Sequence, residues 1–374
     1  MRPAAKGNMY KVLAVCNHPG GTRVLLPVIE SFLDKKPDSF FDLVLTHSSF
    51  PLFNLSIRNT HKTIVNEDVS PEDYEKLDLH EYAFVLAGTS ISGNLERSFV
   101  RKAREQGVPS FSVLDHWCEY HVRFQGTDGH LNAVPDVIFV PDKIAKNDLL
   151  GIGIPEWQIV VTGHPAFDVA IKVAEDFSEI KRSKVLQRLG LKDAMNYVLF
   201  VSEPVEADHG SKDLGYSEFT LLDRTCRTLL QLELETRLPL IIKLHPREDT
   251  SKYDSVLREY NTLKIISVKD EIDRFDLVLS AKLVLGITSL LLLEAALIGL
   301  PVYCIIPGDG ARSFIGVRLG WVKEIHHEDD LKALLSGYSG KLPSANINAD
   351  HNAADNIVVH ILSVVIIPLI KLKS

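Results

Sequence analysis

The chain reads as two α/β domains, each a doubly wound parallel sheet covered by helices. Three observations carry that reading. Short apolar runs alternate with helix-spaced segments almost throughout the chain. The runs are continuously apolar rather than alternating, as strands are when both sheet faces are covered. The alternation is interrupted once, over 167–190, by a polar stretch without strand character, and then restarts. At 374 residues the chain is also long for a single hydrophobic core.

The first domain is expected over 9–168. YKVLAVC (10–16) is its first strand, NHPGGT a loop and RVLLPVIESFL a helix. FDLVLTH and YAFVLAGTS are strands, 95–106 is a polar helix, and VPSFSVLD, PDVIFVPD and WQIVVTGHP continue the series. The second domain is expected over 190–350. It runs through NYVLFVSEP, a helix near 218–235, LPLIIKLHP, LKIIS, KLVLGITS, a helix near 289–298 and PVYCIIPG. Residues 351–374 form a C-terminal helix that can pack back on the first domain. Its apolar part, IVVHILSVVIIPLI (357–370), is too short to span a bilayer and is interrupted by His360, Ser363 and Pro368.

Composition narrows the function. Hydrophobic residues make up 45% and charged residues 24% of the chain, the balance of an ordinary soluble protein. A formal net charge of −8 argues against a nucleic-acid partner, which usually meets a basic excess, but leaves room for a local basic pocket. The cysteines Cys16, Cys118, Cys226 and Cys304 lie far apart, with no Cys-x-x-Cys pair to suggest zinc or a disulfide framework. Free thiols suit a reducing cytoplasm. MRPAAKGNMY lacks the apolar segment of a signal peptide, so a cytoplasmic location is expected. Peripheral membrane association and oligomeric state stay open.

Doubly wound sheets bind ligands at the carboxyl ends of their strands, and every notable polar motif here lies at such an end. NHPGGTR (17–23) offers His18 and the close backbone approach of Gly20 and Gly21, without being a dinucleotide or triphosphate fingerprint. LAGTSISGN (86–94) offers Thr89. LDHWCEYHVRF (114–124) places Asp115 beside His116, a carboxylate–imidazole pair suited to general-base work. In the same stretch Trp117 and Tyr120 can wall a sugar ring. Alternatively, Trp117 and Phe124 pack the loop while Arg123 pairs with a carboxylate. VTGHPAFD (161–168) reads as structural. VSEPVEADHG (201–210) puts Ser202 and Glu203 at a strand end. KLHPRED (243–249) alternates Lys243, His245 and Arg247, so that His245 and Arg247 can converge on one phosphate; alternatively the stretch is a surface turn with solvated charges. GITSLLLLEAALIGLP (286–301) sets Thr288 and Ser289 at a helix start, where phosphate is favoured. Its Glu294 is a lone carboxylate in an apolar helix. It needs a partner, either a ribose diol or a salt bridge.

VTGHPAFD together with GITSLLLLEAALIGLPVY resembles nucleotide-sugar enzymes of the GT-B fold, a superfamily that includes glycosyltransferases and the UDP-N-acetylglucosamine 2-epimerases. The resemblance implies two Rossmann-like domains facing each other across a crevice, with the second domain holding the nucleotide. Its Glu-Ala-x-x-x-Gly-x-Pro helix puts Glu294 on the ribose, with Thr288 and Ser289 near phosphate. KLHP resembles the His-Pro motif of bacterial sialyl-, Kdo- and glycerophosphate-transferring enzymes, which implies that His245 meets the donor phosphate. NHPGGTR is similar to the Gly-Thr-Arg near the start of the epimerases, without the carboxylate expected soon after it. On these motifs the leading expectation is a metal-independent glycosyltransferase of surface-polysaccharide synthesis. A nucleotide-sugar donor would be its substrate, a glycan or lipid-linked molecule its acceptor, and no cofactor would be needed. The donor would meet His245, Arg247, Thr288, Ser289, Glu294, Ser202 and Glu203. The acceptor would lie near His18, Gly20, Gly21 and Thr89, with Asp115 and His116 catalytic. The alternatives are an epimerase or hydrolase of the 2-epimerase type and a noncatalytic nucleotide-sugar-binding protein.

Overall fold

A computed structural model describes residues 9–53, 57–126, 128–209, 214–308, 314–336 and 352–371. The chain divides into two compact units, Met1–Val169 with Asp350–Ser374, and Ala170–Ala349. Both are parallel α/β units, as the sequence predicts.

In the first unit β1 (Lys11–Cys16), β2 (Phe40–Thr46), β3 (Thr60–Val65), β4 (Phe84–Ala87), β5 (Ser110–Val113), β6 (Val137–Val140) and β7 (Ile159–Val161) form one sheet in the order β3-β2-β1-β4-β5-β6-β7. Every pairing is parallel. Its helices are α1 (Pro19–Lys35), α2 (Pro71–Lys76), α3 (Leu95–Gln106), α4 (Tyr120–Phe124), α5 (Lys143–Gly151) and α6 (Pro165–Glu175), the last running through the unit boundary. In the second unit β8 (Val198–Val201), β9 (Leu240–Lys243), β10 (Ile265–Val268), β11 (Leu283–Gly286), β12 (Val302–Cys304) and β13 (Lys323–Glu324) take the order β10-β9-β8-β11-β12-β13. Its helices are α7 (Glu179–Arg188), α8 (Val205–His209), α9 (Glu218–Leu230), α10 (Asp254–Glu259), α11 (Arg274–Leu279), α12 (Leu290–Leu297), α13 (Ile315–Arg318) and α14 (Glu328–Leu335).

The strands form where they do because the runs are apolar on both sides. VLAVC in β1, FVLA in β4, VIFV in β6, VLFV in β8, LIIK in β9 and LVLG in β11 are buried residue by residue. Pro19 suits the first turn of α1, where a missing N–H costs nothing. Gly20 and Gly21 lie inside that turn, not in a loop as the sequence reading has it. Val24, Leu25, Val28, Ile29, Phe32 and Leu33 then recur at helical spacing and are all buried.

The C-terminal helix, α15 (Ala353–Lys371), belongs to the first unit's core. Ile357, Val358 and Ile361 are fully buried in the same cluster as α1 and β1. At about 1.5–3 kcal/mol for each such side chain, that burial is worth at most roughly 9 kcal/mol. The Lys35–Asp355 pair at 2.7 Å is half-exposed and adds at most about 1 kcal/mol, so packing rather than charge holds the helix. Among the described residues no helix is long and apolar enough to cross a membrane.

In each sheet the order reverses at one place, between β1 and β4 and between β8 and β11. Connections leave in opposite directions there, and a crevice opens at the carboxyl ends of the strands. Candidate ligand groups should therefore be sought at 17–22 with 88–96, and at 202–203 with 287–289.

Candidate functional site

The first reversal is closed by a glutamate. Glu96, in the first turn of α3, is buried and accepts the N–H of Asn17 at 3.0 Å and of Ser90 at 2.6 Å. It thereby ties the loop after β1 to the loop after β4. Burial pushes its carboxyl above the usual carboxylate range. Gly88 has to be glycine here, because a Cβ would collide with Glu96 Oε1 and stand 3.3 Å from the Cα of Gly21. Arg97, beside it, is spent on backbone carbonyls, including Ser90 and Val122.

One strand further, Asp115 and Arg123 form a buried ion pair at 2.7 Å. Asp115 Oδ1 also accepts the hydroxyl of Thr89 at 3.0 Å, and Oδ2 lies against Gly20, where a Cβ would collide with it. Arg123 further donates to the carbonyls of Cys118 and Thr89. His164 is buried between Trp117 and Phe167, with ring centroids 5.4 Å and 4.4 Å away, and its Nε2 lies 3.2 Å from the Asp115 carbonyl. Trp117 donates to Asp142 at 2.7 Å. The LDHWCEYHVRF loop is thus packed as the structural alternative has it. Trp117 and Phe124 are in the core and Arg123 is paired with the carboxylate of Asp115, so Trp117 walls no sugar ring. His116 keeps a neutral ring, since burial and the Arg123 charge push it down to about 4, and its Nδ1 has no hydrogen-bond partner among the described residues. His18 caps the start of α1 and lies 2.5 Å from the Ser92 hydroxyl.

The second reversal is closed by another glutamate. Glu203, half-buried after β8, accepts the N–H of Thr288 at 2.6 Å and its hydroxyl at 3.1 Å. Burial pushes Glu203 up to about 7, against the lowering effect of those donors. Ser289 is the N-cap of α12 and accepts the N–H of Leu291 at 3.3 Å. The helix start that the sequence offers to phosphate therefore already holds a carboxylate. Ser202, 1% exposed, donates to Glu248 at 2.8 Å and shares a hydrogen with Tyr253 at 2.5 Å, so its hydroxyl is turned inward.

KLHPRED is a turn, not an extended segment. Glu248 N–H donates to His245 carbonyl at 2.9 Å, with Pro246 at the second position, where its fixed φ suits a β-turn. Lys243 donates to the carbonyls of Leu244 and Lys269. Arg247 makes a two-pronged pair with Asp208, at 2.8 and 2.6 Å. The expected convergence of His245 and Arg247 on one phosphate is thus absent from this geometry, because a turn sends alternate side chains apart and Asp208 draws the guanidinium. Arg247 N–H donates to His245 Nδ1 at 3.2 Å, which leaves the proton of the neutral ring on Nε2. Glu294, 2% exposed, pairs through Oε1 with Arg274 at 2.9 Å, so the salt bridge that the sequence offered as one partner is formed.

The sequence reading passed over Glu96, His164, Glu218, Glu248 and Lys252. Glu248 had a visible signal, an acid three residues after His245 in a proline turn. Glu96 had none, since it sits in a helix that reads as polar.

The family model described as UDP-N-acetylglucosamine 2-epimerase matches residues 130–306. No curated protein sequence matches. The fold is shared with the UDP-GlcNAc 2-epimerase of Neisseria meningitidis bound to UDP-GlcNAc, at 16% identity and a TM-score of 0.67 over 94% of this chain and 100% of that one. The UDP-GlcNAc 2-epimerase of Methanocaldococcus jannaschii gives 18% and 0.65 over 94% and 99%. S. aureus MnaA with UDP gives 17% and 0.68 over 95% and 96%. The GT-B-like, two-domain expectation stands on these matches. The glycosyltransferase expectation does not: the family model is that of a 2-epimerase, as are the similar structures from Neisseria meningitidis and Methanocaldococcus jannaschii, so the transferase reading and its glycan or lipid-linked acceptor are withdrawn. The resemblance of KLHP to the His-Pro motif of the transferring enzymes is not shown by these comparisons.

Proposed function

We propose that the chain acts on a UDP-N-acetylhexosamine and inverts its configuration at C2, with the nucleotide held at the strand ends of the second unit. The observation that carries this reading is the 2-epimerase family match over 130–306, which spans Glu203, His245, Thr288, Ser289 and Glu294. The UDP-GlcNAc named with one similar structure is consistent with it, and the UDP-glucose named with another supports its nucleotide.

The chemistry constrains what the residues must do. Inversion at C2 removes a hydrogen from a carbon with no carbonyl beside it, so the electron pair left behind needs a sink. The diphosphate on the neighbouring C1 is such a leaving group. Departure with the C2 proton gives a C1–C2 alkene, and re-addition with the proton delivered to the other face gives the epimer. The second unit must therefore hold the diphosphate while it leaves and returns. His245 supplies an Nε2–H donor. The amides of Thr288 and Ser289 supply the positive end of α12 once Glu203 yields them, and Glu294, with Arg274 beside it, takes the ribose diol. Glu203, titrating at about 7, can give or take a proton near neutral pH. In the first unit His116 offers a neutral ring whose Nδ1 has no hydrogen-bond partner among the described residues, next to an Asp115 held by Thr89 and packed against Gly20.

Incubating the protein with UDP-GlcNAc in D2O and following the sugar by proton NMR tests the reading. The expected product is the C2 epimer carrying deuterium at C2. Release of free sugar as the sole product, or tight binding with an unchanged sugar, would contradict it.

A further inference from the structure

A buried charge cluster lies under the turn that carries His245. Lys252 Nζ is 2.5 Å from the carboxylates of both Glu218 and Glu248, which are 1% and 2% exposed. The rings of Phe219 and Tyr253 cover the ammonium at 5.1 and 5.4 Å. The two carboxylates share that lysine and that burial, but they reach different places. Glu218 turns its other oxygen to the N–H of Glu206 at 3.0 Å. Glu248 turns its other oxygen to the N–H of His245 at 2.7 Å, while its first oxygen also accepts the Ser202 hydroxyl at 2.8 Å.

Every partner of the Glu248 carboxylate is therefore a donor: a backbone N–H, a hydroxyl and an ammonium. A group that only accepts fits all three, whereas an amide would set its NH2 against one of them. The backbone of Glu248 completes the arrangement, with its N–H on the His245 carbonyl at 2.9 Å and its own carbonyl held by Lys269 at 2.8 Å. His245 is thus held at both its N–H and its carbonyl by one residue, and its ring is oriented by the N–H of Arg247.

We propose that Glu248 is a positioning residue for nucleotide binding: by fixing the turn 245–248 it keeps the His245 ring with Nε2–H as the donor to the diphosphate. The cluster beneath is the rigid footing that a ligand-contacting turn needs, and it links that turn to the strand end at Ser202. This inference rests on the reading that His245 meets the diphosphate.

The test compares Glu248→Gln with Glu218→Gln, each alone and Glu248→Gln also in a His245→Ala background. UDP affinity is read by calorimetry, stability by thermal melting, and the His245 ring by its imidazole 15N shifts. Glu248→Gln should weaken UDP roughly tenfold, and Glu218→Gln by less than about twofold, even where both melt lower, because Glu248 bonds the His245 N–H itself whereas Glu218 touches only Lys252 and the Glu206 N–H. In the His245→Ala background Glu248→Gln should add less than about twofold, since its route to the ligand is gone. The ring of Glu248→Gln should lose its settled Nε2–H tautomer. Equal losses from the two glutamate variants, or an undiminished loss without His245, would overturn the proposal. If the wild-type protein fails to bind UDP, the nucleotide reading falls. The ring signature still decides the positioning role, and an unchanged Nε2–H tautomer in Glu248→Gln would overturn it.

Discussion

The two units share an architecture and close their sheet reversals in the same way, with a glutamate accepting backbone N–H groups, yet the two glutamates are not equivalent. Glu96 is sealed in, pressed against Gly21 and Gly88 and holding the amides of Asn17 and Ser90. Glu203 sits at the start of an eight-residue helix, on donors that an incoming anion would also seek. The first unit spends its nearby cations on internal partners, Arg123 on Asp115 and Arg97 on carbonyls. The second unit pairs its cations as well, Arg247 with Asp208, Arg274 with Glu294 and Lys252 with Glu218 and Glu248, and carries His245 on a braced turn. One fold thus yields a sealed reversal in one unit and, in the other, a helix start whose donors are held by a half-buried carboxylate.

The strongest break to that comparison is in the first unit. Arg123→Met strands the buried Asp115 carboxylate without its partner and should cost on the order of 3–5 kcal/mol in urea denaturation, because an uncompensated buried charge is expensive. A loss below about 1 kcal/mol would mean that the pair is hydrated and the first unit is no more sealed than the second.

The next effect belongs to Glu203. Its folded value of about 7 lies above that of an exposed glutamate, so the folded state binds the extra proton more tightly. The associated stability is complete at pH values below about 4.5 and is lost as pH rises through 7, a fall of at most ~3 kcal/mol. Glu203→Gln should flatten that fall when denaturation is followed from pH 4.5 to 8. A slope that survives the substitution would assign it to another group.

The smallest effect sharpens the picture of the His245 turn. Arg247 is exposed and tied to Asp208, so Arg247→Ala should cost no more than about 1 kcal/mol of stability. It should also leave UDP affinity within roughly twofold. A larger affinity loss would return Arg247 to the diphosphate, where the sequence alone had placed it.

What could be read from the sequence divides along physical lines. Strands buried on both faces announced themselves as apolar runs, and the doubly wound architecture followed. β3 did not, because as an edge strand it alternates half-buried and exposed residues in THKTIV, and β13 is only two residues long. Strand ends were legible because Gly, Pro and hydroxyl residues gather there. Side-chain partnerships were not, since they join distant positions: Glu96 reaches Asn17 across 79 residues and Lys252 reaches Glu218 across 34. Glu294 was recognisable as a carboxylate in need of a partner, but nothing in the sequence named Arg274. The transferase expectation failed for a related reason. The helix pattern around Glu294 resembles one that transferases and epimerases of this architecture share, so it could not separate the two.

The central claim, that the second unit carries the nucleotide and the first does not, is tested most directly by titrating UDP into wild type, His245→Ala and Asp115→Asn by calorimetry. Loss of one charge-assisted hydrogen bond to the diphosphate predicts a drop of about 1.5–3 kcal/mol in binding free energy for His245→Ala, roughly 10- to 150-fold, with unchanged melting. Asp115→Asn should bind UDP as wild type does. Equal affinity in wild type and His245→Ala, with the loss appearing in Asp115→Asn instead, would contradict the account.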